Sequence, residues 1–116
     1  MHLHINNIKT KYSVLQALNF IQRASGLIFR KELLSDEVFY IQPCNSVHSF
    51  GMKYAIHIVY LDKAGVILKI IENMKQRRIN WCSKAYSVLE FKSDTTNFKA
   101  LQIGDIVSFE NSKNET

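Results

Sequence analysis

Hydrophobic positions recur along the chain in two rhythms. Near the start, Leu3 and Ile5 alternate with His2, His4 and Asn6, which predicts a short edge strand. From Ser13 the rhythm lengthens. Val14, Leu15, Leu18, Ile21 and Ser25 follow at spacings of three and four, so one apolar stripe would face a core on a helix. Ser13 is a capping residue, and Gln16 stands three positions later, as a capping box requires. Gly26 then supplies a left-handed stop. The spacing predicts one main helix over Val14 to Ser25.

Beyond the turn around Ser35-Asp36, the period shortens again. Val38 to Gln42 reads as a strand that Pro43 ends. Tyr54 to Leu61 is the strongest strand signal, a β-branched and aromatic run with one polar break at His57. The turn Asp62-Lys63-Ala64-Gly65 follows, and Val66 to Glu72 returns as the antiparallel partner. Asn73 to Lys84 is polar and irregular apart from Trp81 and Cys82. Ala85 to Lys92 is a further strand. Asp94 or Thr95 caps a short second helix over about 95–101, and Gly104-Asp105 turns the chain into a last strand, Ile106 to Phe109. The polar tail from Asn111 to Thr116 is expected to fray. These elements predict an α+β domain whose mostly antiparallel sheet is curled and barrel-like.

Composition narrows the class without naming an activity. A chain of 116 residues is one domain. With 47% hydrophobic and 22% charged residues it is globular rather than disordered. No apolar run approaches the ~20 residues of a membrane span, and the N-terminus has neither the charged nor the apolar region of a signal peptide. A soluble, cytoplasmic protein is expected. The net charge of +5 permits attraction to polyanions. The basic residues are scattered, however, with Lys53, Lys75, Arg77 and Arg78 as the main candidates for a patch. A solvated surface is favoured over nucleic-acid binding.

Candidate chemistry centres on Cys and His. Cys44 and His48 lie four apart and His57 is nine further on, all zinc-ligand types. There is no second close pair such as C-x-x-C, and a structural zinc site takes four ligands, so no metal and no cofactor is expected. A Cys–His nucleophilic pair is open on paper but needs an orienting third group. The plainer reading is a small buried thiol at Cys44, a hydrogen-bonded turn histidine at His48 and a satisfied core or barrel-interior histidine at His57. Asp62 has the default role of a turn residue. The four glycines, at 26, 51, 65 and 104, exclude both G-x-G-x-x-G and a P-loop. Neither G-x-S-x-G nor H-E-x-x-H occurs.

Three blocks carry a resemblance. Gly26-Leu27-Ile28-Phe29-Arg30, Pro43-Cys44-Asn45-Ser46-Val47-His48-Ser49-Phe50-Gly51-Met52 and Ile58-Val59-Tyr60-Leu61-Asp62-Lys63-Ala64-Gly65 resemble the family called domain of unknown function 192. Cys82, Ser87-Val88-Leu89-Glu90 and Leu101-Gln102-Ile103-Gly104-Asp105 follow in that family's order, so the match spans about residues 13–109 of the single domain 1–116. The resemblance implies a compact α+β domain with a curled sheet, no established activity, and Cys44 and Cys82 beside the same sheet. The chain departs from the family pattern where Ala55 replaces a proline and His57 an aspartate.

Together these readings favour a non-enzymatic binding or accessory module with a polar pocket near Cys44, His48, Lys53, His57 and Asp62. Its partner would be a small molecule or a protein. A small enzyme or metal-dependent activity using the same residues is the alternative, and weak nucleic-acid binding the next.

Overall fold

The run from Tyr54 to Glu72 folds as its pattern predicts. The structure is a computed structural model that describes residues 1–16, 33–49, 54–93 and 98–110. In chain order the strands are β1 (His2–Ile5), β2 (Ile8–Gln16), β3 (Glu37–Ile41), β4 (Ser46–His48), β5 (Ile56–Leu61), β6 (Ile67–Met74), β7 (Ile79–Trp81), β8 (Ser87–Lys92) and β9 (Val107–Glu110). β5 and β6 pair antiparallel across the turn. Asp62 Oδ1 accepts the N–H groups of Ala64 and Val66, at 2.8 and 2.9 Å, an Asx arrangement that fixes the reversal.

Seven strands form one sheet in the order β6-β5-β8-β3-β2-β1-β9, while β4 and β7 make a separate two-stranded ribbon. Within the large sheet only β2 and β3 run parallel. Alternate residues of the central strands feed an apolar cluster on each face. Val38, Tyr40, Val59, Leu61, Leu89 and Phe91 belong to the first. Phe39, Ile41, Ile56, Ile58, Tyr60 and Val88 belong to the second. β5 is buried along its whole length because both of its faces are covered.

The predicted α+β class and barrel-like closure are both corrected. Among the described residues there is no α-helix. Val14, Leu15 and Gln16 lie in β2, and Ser13 caps nothing. The Ser13 N–H donates to the Asp36 carbonyl at 2.9 Å, and the Val14 N–H to the Met1 carbonyl at 2.8 Å. Pairing with strands on both sides overrides the local helical spacing. Leu18, Ile21, Ser25 and Gly26 lie outside the described residues. The second predicted helix is a single 3-10 turn, Phe98–Ala100, and its proposed caps, Asp94 and Thr95, also lie outside.

β6 and β9 are the two edges of the sheet. They meet at one isolated bridge, Val66–Ile106, but no ladder joins them, so the sheet is not closed into a barrel. Gly65 makes this approach feasible. Its φ is +87°, and a Cβ there would run into the Val107 carbonyl oxygen. β1, expected at an edge, lies between β2 and β9. The supposedly irregular stretch from Asn73 holds the end of β6 and all of β7.

Candidate functional site

Of the residues singled out by sequence, His57 is the most fully engaged. The β5–β6 register steps from Ile56↔Met74 to Ile58↔Ile71, so a bulge faces His57. The bulged Asn73, at φ 53°, turns its N–H onto His57 Nδ1 at 3.0 Å. A backbone N–H can only donate, so the neutral ring carries its proton on Nε2, which donates to the Ser93 carbonyl at 3.1 Å. The ring also stacks on Phe98, with centroids 4.0 Å apart. Burial lowers the His57 pKa below its ordinary value. The Ser93 hydrogen bond and the charge of Glu72 oppose that shift and are smaller. His57 therefore ties β5, β6 and the end of β8 together as a neutral group.

The remaining candidates do not gather around it. Asp62 is spent on its turn. Lys53 lies outside the described residues. Cys44 packs against the second-face cluster, whereas His57 stacks on Phe98, which belongs to the first. His48 is exposed on β4. Among the described residues no group of three His, Cys, Asp or Glu side chains could hold a metal ion.

Two features escaped the sequence reading. The first is a polar layer inside the second face. Glu90 is 4% exposed and sits directly between cross-strand neighbours Phe39 and Ile58, both 0% exposed. Among the described residues no donor reaches its carboxyl. Burial alone raises its pKa to about 8, so the group is mostly protonated at neutral pH. The nearby Tyr60 hydroxyl is fully buried and has no hydrogen-bond partner among the described residues. Its pKa is raised by burial first, then by Cys44, Cys82 and Glu90. The alternation of β8 could have placed Glu90 beside Val88, but only the register shows that Phe39 and Ile58 flank it.

The second feature is the β4–β7 ribbon. Register pairs Ser46 with Trp81 and His48 with Ile79, which puts these four side chains on one face. Trp81 is 64% exposed and Ile79 61%. Val47 is buried on the opposite face. Ser49 ties the strand ends: its hydroxyl donates to the Lys75 carbonyl and accepts the Arg78 N–H at 2.9 Å. Lys75, Arg77, Arg78 and Lys84 are exposed around the ribbon. No Asp or Glu occurs between Asn73 and Leu89 or between Val38 and Leu61. The patch is thus apolar at its centre and cationic at its rim.

A cavity of about 550 Å³ lies between β1, β2 and the 3-10 turn, lined by Ile5, Thr10, Tyr12, Leu101 and Asp105 among others. Its polar groups are largely committed. The Thr10 hydroxyl donates to the Leu3 carbonyl, and Asp105 accepts from Asn6 and from the Gln102 N–H. Among the described residues no helix is long and apolar enough to cross a membrane.

An open, mostly antiparallel seven-stranded sheet with an appended ribbon defines a small β-rich domain. The chain belongs to the domain of unknown function 192 family, DUF192, described as uncharacterized ACR, whose model matches residues 2–109. No curated protein matches it. Its fold is similar to the crystal structure of a protein of unknown function from Novosphingobium aromaticivorans. That likeness has a TM-score of 0.70 and 17% identity, over 87% of this chain and 76% of the other. It is also similar to a protein from Sinorhizobium meliloti proposed to be a transcription regulator. Here the TM-score is 0.71 and the identity 20%, over 82% of this chain and 79% of the other.

Proposed function

We propose that the protein is a non-enzymatic binding module that docks an acidic segment of a partner protein on the β4–β7 ribbon. One observation carries this reading: Trp81 and Ile79 stand exposed on one face, ringed by cations in a stretch without a carboxylate. Trp and Arg are the residues most often found at the energetic centre of protein interfaces. A cationic rim speeds and orients the approach of an acidic partner. A single tryptophan beside an aliphatic side chain fits an apolar anchor better than a platform for successive bases, which needs several aromatics.

Trp81 is the only tryptophan in the chain, so its fluorescence reports on the site directly. Titration with a peptide of alternating Glu and Leu should shift its emission to the blue, and added salt should weaken the effect. Reversing Arg77 and Arg78 to Glu together should abolish it while leaving the circular dichroism spectrum intact. A saturable response to a single-stranded oligonucleotide and none to the peptide would replace the acidic protein with a nucleic acid. Silence with both would remove the ribbon as a binding surface.

A further inference from the structure

We infer that Cys44 and Cys82 form a thiol pair that closes into a disulfide at the base of the β4–β7 ribbon. Cys44 stands two residues before β4, and Cys82 directly follows β7. The Ser46↔Trp81 register brings those two ends together. Pairing continues past the strands: the Cys82 N–H donates to the Asn45 carbonyl at 2.9 Å. The Cys44 N–H donates to the Tyr86 carbonyl and the Ala85 N–H to the Cys82 carbonyl, both at 2.9 Å, so the segment after Cys82 folds back along Cys44.

The side chains converge as well. Both cysteines pack against the second-face cluster, and the two act electrostatically on one buried hydroxyl, that of Tyr60. The register sets Cys82 opposite Asn45, so Cys44 is its diagonal neighbour, one residue, or about 3.4 Å of strand, beyond a facing pair whose Cα atoms are roughly 4.5–5.5 Å apart. A disulfide spans Cα separations of about 4.4–6.8 Å. Neither thiol is bridged in this structure. Cys44 also lines a surface cavity of about 210 Å³ with Pro43, Asn45, Ala85 and Tyr86, which gives a small reagent access to it. The Lys69 ammonium donates to the Trp81 carbonyl at 2.9 Å, which holds the chain next to Cys82 in place.

The oxidant is a low-molecular-weight disulfide. The Cys44 thiolate attacks one of its sulfurs, breaks the S–S bond and expels one small thiolate, leaving a mixed disulfide. The Cys82 thiolate then attacks the Cys44 sulfur and expels the second. The two cysteine protons end on the two released thiols. The protein loses two electrons and the small disulfide gains them. The new bond ties the two strands of the ribbon together at their root, next to Trp81. This inference does not depend on what the ribbon binds.

The full chain, folded and reduced, is incubated with oxidised glutathione and examined by intact-mass spectrometry and thiol titration. The expected product is a monomer lighter by two hydrogens, without adduct and with no titratable thiol. Cys44→Ser and Cys82→Ser should each stop short of this product, and Cys82→Ser should accumulate one glutathione adduct on Cys44. Stable adducts on the wild-type chain, or a disulfide-linked dimer, would overturn the inference. So would two intact thiols under conditions that fully oxidise the urea-unfolded chain.

Discussion

His57 and Glu90 are both buried polar residues on the central strands of one sheet, and they are treated in opposite ways. His57, on the first face, has a partner at each ring nitrogen and an aromatic ring stacked on it. Glu90, on the second face, lies between Phe39 and Ile58 with no donor among the described residues, and Tyr60 nearby is equally without a partner. The first group acts as a clamp that uses up the irregularity of a β-bulge. The second is a destabilising feature that the rest of the fold must tolerate, because a buried polar group without a hydrogen bond costs free energy. A perturbed carboxyl of this kind is more typical of a working site than of a scaffold.

The contrast breaks most sharply at His57. His57→Ala leaves the Asn73 N–H and the Ser93 carbonyl unpaired and removes the ring from Phe98. Urea unfolding should show a loss of about 2–4 kcal/mol. An unchanged midpoint would mean the clamp contributes nothing.

Glu90→Leu should do the reverse. It fills the same apolar layer without a carboxyl, and stability at pH 7 should rise by about 1–3 kcal/mol. A loss of stability would mean that the carboxyl has a partner it depends on.

Acidity separates the two groups further. The folded pKa of Glu90 is raised to about 8 from an ordinary 4.5. Between those values the folded state holds the extra proton, so stability falls as pH rises through the window and levels off above it. The folded pKa of His57 is lowered from 6.5. Its contribution is complete above that value and is lost as pH falls toward the folded pKa. Each slope is at most about 1.4 kcal/mol per pH unit. Unfolding curves from pH 5 to 9 should lose the fall in stability up to about pH 8 in Glu90→Leu and the acid decline in His57→Ala. Persistence of either decline in its variant would detach it from that residue.

The smallest effect compares two tyrosines. Tyr60→Phe removes an unpartnered hydroxyl and should change stability by less than about 0.5 kcal/mol, or improve it. Tyr40→Phe breaks a 2.6 Å bond to Gln42 Oε1 and should cost about 1 kcal/mol. Equal losses in thermal denaturation would show that the Tyr60 hydroxyl is engaged after all.

Much of the sheet was legible because its signals are local. The β5–β6 hairpin follows from alternating β-branched residues around a turn whose Asp62 and Gly65 do what those residue types do in turns. The family was legible in the block from Pro43 to Met52. The candidate site was legible only in part: Cys44, His48 and His57 were noticed, but nothing in their spacing shows that Cys44 and His57 serve opposite faces. Glu90 was noted only within the Ser87-Val88-Leu89-Glu90 block and not as a buried group, because an acidic residue in a strand reads as solvated until its neighbours are known.

What the sequence determined by itself is therefore the period-two runs, the turns between them and the family. The tertiary structure decided the rest. It drew Ser13 to Gln16 into a parallel strand against β3, since hydrogen bonds from chain segments on both sides outweigh a local capping pattern. It brought Val66 to Ile106 without closing a barrel, and set Glu90 between Phe39 and Ile58. It also joined the two ends of the ribbon that carry Cys44 and Cys82. Each of these depends on which strand lies beside which, and strand pairing is a relation between residues far apart in the chain that no local pattern encodes.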